Sequence, residues 1–138
     1  RMAASLASRG LLDGSRDVND HYVTFLAGIL RSVRFGASSA HGRANAAQLN
    51  FLMRLSAVTR DDATGTWRVD SEKMGPALDA LAASILKIQG DGHLEGARSF
   101  LSELGTLPAP LMKDLEGLSG AGIPVDVVWE QGPEVLGL

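Results

Sequence analysis

Apolar residues recur every three or four positions along much of this chain, a spacing that places them on one face of an α-helix. Tyr22, Leu26 and Ile29 form one such stripe, in a segment that Asp17 or Asn19 can cap at its beginning. Glycines and prolines interrupt the pattern at intervals and mark the expected helix ends. The pattern predicts helices over residues of about 17–35, 43–57, 70–89, 94–104 and 108–118, with 2–9 as the end of a further helix.

Residues 58–70 depart from this helical pattern. The stretch Thr59–Gly65 is rich in turn-forming residues, and the residues after it alternate between polar and apolar side chains. We therefore predict a small β-hairpin there. Near the end of the chain, Ile123–Trp129 is rich in β-branched residues and predicts a strand-like tail. The expected fold is mainly α, an array of about five or six short helices with one small β-hairpin and an extended C-terminal tail, in a single helical domain over residues 1–138.

The composition excludes several classes of function. The chain has 138 residues, no cysteine and a net charge of −3. Without cysteine it has no disulfide, thiolate zinc site or cysteine nucleophile. Its longest uncharged apolar-rich run, His21–Leu30, is much shorter than the roughly 18 residues needed to span a bilayer. Because no signal-peptide pattern is seen either, we expect a cytoplasmic location, with neither nucleic acid nor membrane as a partner.

The first half of the chain is basic, with a net charge of +4 over residues 1–69 against −7 over residues 70–138. We expect the two halves to pack together and pair their surface charges. Within the basic half, Arg31, Arg34 and Arg43 flank a linker of small residues that contains His41. Arginine binds carboxylates in a bidentate fork, so these arginines form a candidate anion-binding site. The alternative is that Arg31 and Arg34 are solvated cations at the C-terminal end of one helix and that His41 is an N-terminal residue of the next helix.

No arrangement of residues predicts catalysis by this chain alone. His21, His41 and His93 do not stand at the spacing of zinc ligands on one helix. The sequence also lacks a Gly-x-Ser-x-Gly nucleophile elbow and a glycine-rich phosphate loop. We therefore predict no metal site and no catalytic residue within the chain. A weaker alternative is a small unrelated enzyme that uses His41 with Asp61 or Asp62.

Four segments, in order along the chain, carry a further signal. They are Phe25–Asn45, Thr59–Asp70, Ile88–Gly92 and Gly122–Gly132. The first reads Phe-Leu-Ala-Gly-Ile-Leu-Arg-Ser-Val-Arg-Phe-Gly-Ala-Ser-Ser-Ala-His-Gly-Arg-Ala-Asn. These segments resemble the C-terminal region of bacterial proteins in the dipeptidyl peptidase III family of zinc metallopeptidases. The similarity extends over nearly the whole chain.

The resemblance implies that the chain corresponds to the C-terminal helical portion of a larger peptidase. The family's zinc motifs, His-Glu-x-x-Gly-His and Glu-Glu-x-x-Ala-Asp/Glu, do not occur in this sequence. Zinc and a peptide substrate are therefore expected only in a full-length protein, and the chain alone is expected to be inactive and to bind no cofactor. The family's Ala-His dipeptide matches Ala40–His41, which implies that His41 helps to bind substrate or to stabilise the transition state.

A second class of function stays open beside this one. The chain could instead be a stand-alone, non-catalytic interaction module that binds a partner through the surface of Arg31, Arg34, His41 and Arg43. Apolar helix faces that a catalytic lobe would otherwise cover would then favour a homo-oligomer. A chain that is folded and monodisperse on its own would support this module.

Overall fold

The computed structural model describes residues 6, 9–11, 17–127 and 129–137, and most of these residues are helical. In this part of the chain, five α-helices and one two-stranded hairpin follow one another: α1 (Val18–Ser32), α2 (Ala40–Arg54), β1 (Val58–Arg60), β2 (Trp67–Val69), α3 (Ser71–Gly90), α4 (Leu94–Leu104) and α5 (Ala109–Gly120). Short 3-10 helices extend α1 over Val33–Phe35 and cover Pro133–Leu136. The expected mainly α fold with one β-hairpin is confirmed. The helix end predicted at residues 2–9 lies largely outside the described residues.

Helix α2 lies at the centre of the fold. It packs against α1, α3, α4 and strand β1. Ala46 and Ala47 are buried on it and let the neighbouring helices approach closely, whereas Leu49 and Leu52 are completely buried and fill the core. Because α2 contacts most of the other elements, its position determines where they can lie.

The start of α2 is fixed by a cap and by a close contact. The helix begins at Ala40, three residues earlier than the sequence pattern predicts, because the Ser39 hydroxyl oxygen accepts a hydrogen bond from the Gly42 backbone N–H at 3.0 Å. The incoming chain passes directly against this turn, since a Cβ on Gly42 would lie 1.9 Å from the carbonyl oxygen of Gly36. Only glycine fits at residue 42 in this arrangement.

The end of α2 also comes three residues before its predicted position. The helix ends at Arg54, and Ser56 follows with a φ of 54°, in the left-handed region. The Ala57 N–H then donates to the Leu52 carbonyl oxygen at 2.9 Å. This turn directs the chain straight into β1.

The hydrophobic core lies where α1, α2, α3 and α5 meet the hairpin. Tyr22, Leu26 and Ile29 line the buried face of α1, as their spacing predicts. They belong to one cluster with Leu49, Leu52, Val58, Met74 and Leu111. Of the five described α-helices, all except α4 therefore contribute to this cluster, and α4 packs against α2 and α3.

Aspartates define both ends of the hairpin. In its turn, the Asp61 carboxylate accepts hydrogen bonds from the backbone N–H groups of Ala63 and Thr64 at 2.9 and 3.3 Å, which lowers the pKa of Asp61. After the hairpin, Asp70 caps α3 and lies 3.0 Å from the Lys73 ammonium. Hydrogen bonds from the side chain and backbone of Lys73 lower the pKa of Asp70.

One apolar residue of α3 and the C-terminal tail differ from what the sequence pattern predicts. Ile85 continues the helical spacing of Met74, Leu78 and Leu81, which predicts a buried position. It is 37% exposed, because this half of α3 borders an open cleft beside α2 and α4. The tail Ile123–Trp129 was expected to be strand-like, yet its described residues, 123–127 and 129, form no strand. Val127 is 63% exposed and Trp129 is 74% exposed.

We predict that Gly42→Ala strongly destabilises the protein. The added Cβ would meet a backbone oxygen, which cannot move aside as the end of a flexible side chain can. The free energy of unfolding, measured by urea denaturation, should fall by about 3 kcal/mol. Gly28→Ala is the matched control, because a Cβ on this residue of α1 meets nothing within 4 Å, and alanine favours helix. Equal stability of the Gly42→Ala variant and the wild type would contradict the close contact.

Candidate functional site

His41 lies in the first turn of α2 and not in the linker that the sequence pattern predicts. Its side chain is exposed and makes no hydrogen bond or ion pair with any residue that the structure describes. Its backbone, in contrast, is held firmly. Asn45 Nδ2 donates to the His41 carbonyl oxygen at 3.0 Å and to Ser32 Oγ at 2.9 Å. The Asn45 amide thus links the first turn of α2 to the end of α1. The backbone of His41 is held by this link, whereas its imidazole has no partner among the described residues.

Arg31 and Arg34, at the end of α1, contact the C-terminal tail. Arg34 Nη2 donates to the carbonyl oxygens of Ile123 and Pro124 at 3.0 and 2.7 Å. Arg31 Nη2 lies 3.4 Å from Asp126 Oδ1. A cavity of about 450 Å³, wide open to solvent, lies between these two arginines and residues 124–127 of the tail.

Arg43 does not join this cavity. It is exposed on α2, and its Nε lies 3.6 Å from the position that a Cβ on Gly105 would take, at the end of α4. The three arginines that the sequence suggested as one anion-binding cluster are therefore divided between two places.

The structure also leaves His41 apart from the aspartates suggested for an unrelated enzyme. Asp61 accepts hydrogen bonds from the backbone of its own turn, and Asp62 pairs with Arg60 at 2.8 Å. No hydrogen bond joins His41 to either aspartate within the described part of the chain. An acid–base pair of this kind has no geometric support.

A charged cluster that no pattern in the sequence predicts links the hairpin to α5. Arg60 Nε and Nη2 donate to the two carboxylate oxygens of Asp114 at 2.9 and 2.6 Å, and Trp67 Nε1 donates to Oδ2 at 2.8 Å. The Arg60 side chain is only 10% exposed. Hydrogen bonds from Arg60, together with that from Trp67, lower the pKa of Asp114 despite its partial desolvation. Because three donors engage this carboxylate, it serves as an anchor and not as a proton acceptor.

One part of this cluster has a signal in the sequence. Alternation along a strand places Arg60 on the same face as the buried Val58, and a cation on that face needs a partner. The sequence does not identify Asp114 as the partner of Arg60. Asp114 lies 54 residues away, and the rotation of α5 about its axis depends on packing.

The described residues do not provide a metal site of their own. They contain no group of three or more His, Cys, Asp or Glu side chains placed to hold a metal ion. In the full-length protein that the resemblance implies, the zinc ligands would have to come from other residues. None of the described helices combines the length and apolar character needed to cross a membrane.

The comparisons with known proteins bear directly on the expected resemblance. No protein-family profile matches the chain. Dipeptidyl-peptidase III from Corallococcus sp. strain EGB superimposes with a TM-score of 0.83 at 33% identity, over 92% of this chain and 23% of that one. DPP III from Caldithrix abyssi does so with a TM-score of 0.84 at 32% identity, over 91% of this chain and 23% of that one.

Each of these two matches extends over more than nine-tenths of this chain. The expected likeness to the C-terminal region of dipeptidyl-peptidase-III-like proteins is thereby confirmed. A curated relative carries a different name: Nudix hydrolase 3 of Arabidopsis thaliana is 41% identical over 123 residues, which are 88% of this chain and 16% of that protein. The chain thus spans less than a quarter of each of these relatives.

We predict that Asp114→Asn lowers the free energy of unfolding by about 2 kcal/mol at neutral pH, because an amide cannot accept the charged fork of Arg60 equally well. The pKa of Asp114 is lowered in the folded state. Its stabilising effect is therefore complete above the unfolded pKa of about 4 and is lost as the pH falls through the folded pKa. The stability difference between wild type and variant should shrink below about pH 4, as measured by urea denaturation over a pH series.

Asp62→Asn is the matched control for this variant. Asp62 contacts the same arginine, but its side chain is 87% exposed, so the stability should change little. A loss that is equal for both variants, or one that is the same at acidic and neutral pH, would show that Asp114 is not the anchor.

Proposed function

We propose that this chain acts as the C-terminal helical portion of a dipeptidyl-peptidase-III-like zinc metallopeptidase and contributes to peptide hydrolysis within that larger protein. The observation that carries the proposal is the structural match over 92% of the chain at 33% identity. A match over this share of the chain extends well beyond a shared motif.

The contribution of this portion would be to hold His41 at the peptide. An imidazole N–H can donate a hydrogen bond to a peptide carbonyl oxygen and can stabilise the negative charge that develops there. Two features support this role: the His41 side chain is exposed and has no partner among the described residues, and Asn45 fixes its backbone. Because the backbone is already fixed, a ligand that binds here has to restrict only the rotamers of the imidazole.

The rest of the catalytic machinery would come from other parts of the larger protein. The sequence holds no His-Glu-x-x-Gly-His segment, and the described residues form no metal-binding group. Exposed apolar residues such as Leu86 and Trp129, at 67% and 74%, would be covered where this portion packs against the catalytic part.

The match to Nudix hydrolase 3 is compatible with this proposal. The matching segment is only 16% of that protein, so the activity in its name belongs to a much longer chain. One helical unit that occurs in longer proteins with two different names favours a supporting role for the unit itself.

We expect the chain alone to release no product from dipeptidyl arylamides, with or without added zinc. It should also bind no zinc in a one-to-one ratio, because no described group of side chains can enclose the ion. A coupled fluorescence assay and equilibrium dialysis would measure these two properties. Turnover, or tight stoichiometric zinc binding, would contradict the proposal that the zinc site lies in other parts of the larger protein.

A segment exchange tests the role of His41. We expect a Corallococcus dipeptidyl-peptidase III whose matching segment is replaced by this chain to fold and to hydrolyse a dipeptidyl arylamide. In this hybrid, His41→Ala should lower kcat/KM roughly 100-fold, with an unchanged zinc content. His93→Ala is the control, because this histidine stands before α4 and should leave the activity unchanged. A folded, zinc-loaded hybrid that is equally active with and without His41 would rule out that role.

A further inference from the structure

The cavity beside the C-terminal tail has an excess of positive charge. Arg31 and Arg34 stand three residues apart on its wall, and Asp126 supplies the single carboxylate among its lining residues. The one ion pair is long, with 3.4 Å between Arg31 Nη2 and Asp126 Oδ1, and both side chains are more than half exposed. Arginine–carboxylate pairs of good geometry measure about 2.7–2.9 Å. The charge of the cavity is therefore not balanced by its own residues.

Arg34 is held in place while most of its donors stay free. Its Nη2 donates to the carbonyl oxygens of Ile123 and Pro124, which fixes the guanidinium plane against the tail. A guanidinium carries five N–H donors, and those on Nε and Nη1 have no partner among the described residues. Both bidentate edges of a guanidinium include Nη2, so Arg34 keeps single donors at Nε and Nη1, and a two-point contact to a carboxylate would come from Arg34 and Arg31 together.

The apolar part of the cavity comes from the tail. Val125 and Val127 flank Asp126 and line the same space. They are 42% and 63% exposed, so an apolar group bound there would remove their surface from water. The cavity thus combines a cationic wall with branched apolar side chains.

We propose that this cavity binds the free carboxylate of an amino acid or peptide end that carries an apolar side chain, and that Asp126 competes with this ligand. Asp126 Oδ1 lies 3.4 Å from Arg31 Nη2, so its carboxylate already occupies the place that an external anion would take beside this arginine. An exposed ion pair contributes little free energy, and an external carboxylate can displace it at small cost. The ligand site is independent of His41 and of the proposed peptidase role, since the chain alone contains all of it.

The test is a titration of the isolated chain with N-acetylvaline, followed by NMR of the arginine side chains at constant ionic strength. We expect saturable shifts of the Arg31 and Arg34 Nε–H signals at millimolar concentrations. N-acetylvalinamide, which lacks the charge, should cause no such shifts. Inorganic phosphate, which lacks the apolar group, should bind more weakly than N-acetylvaline.

Variants at exposed positions separate the site from general anion binding. Asp126→Asn should tighten N-acetylvaline binding about two- to fivefold, because the internal competitor is removed. Arg31→Gln should weaken it at least about threefold, because half of the cationic wall is lost. Arg98→Gln is the matched control, since Arg98 forms a similarly exposed pair with Glu95 on α4.

Three results would overturn the proposal. They are equal binding of N-acetylvalinamide, phosphate binding as tight as that of N-acetylvaline, and an unchanged affinity in Asp126→Asn. The last of these cannot be confused with unfolding, because the expected effect is a gain of affinity. A failure of the carboxylate-binding proposal would not change the expected result of the hybrid peptidase assay. The two proposals are therefore tested independently.

Discussion

The contact between the first turn of α2 and the loop that enters it constrains the elements around α2. Gly42 leaves space for the carbonyl oxygen of Gly36, so α2 can begin within a few residues of the end of α1. Any side chain at residue 42 would push the loop and the helix apart. Because α1, α3, α4 and β1 all pack on α2, such a shift would reach each of them. The absence of a Cβ at residue 42 thus permits the close packing of α2 with the elements around it.

The hairpin and α5 are joined by charge as well as by apolar contact. Arg60 and Trp67 stand directly opposite each other in the hairpin, and both donate to Asp114. One carboxylate on α5 therefore holds both strands at a defined position. Placing a cation where its side chain is only 10% exposed costs solvation energy, which the bidentate geometry offsets. An apolar contact alone would let the hairpin slide, whereas the fork of Arg60 fixes its orientation.

Local sequence patterns predicted most of the helices and the hairpin. They did not predict the contacts between residues that are far apart in the sequence. Helix α4 begins and ends where predicted, at Leu94 and Leu104, because glycines stand close to both ends. The start of α2 was placed three residues too late, since several small polar residues precede it and each can cap. The contacts of Arg34 with the tail span 89 and 90 residues. Such pairs depend on how the helices pack, which no local pattern specifies.

The contact that constrains the fold also constrains the candidate site. His41 immediately precedes Gly42, so the same turn that must approach Gly36 carries the imidazole. Its backbone is bonded to Asn45, yet its side chain is exposed and contributes nothing to the core. A side chain that stabilises the fold is normally packed or paired, and His41 is neither among the described residues. This contrast between a fixed backbone and a free imidazole is the basis of our proposal that His41 meets a ligand supplied from outside the described residues.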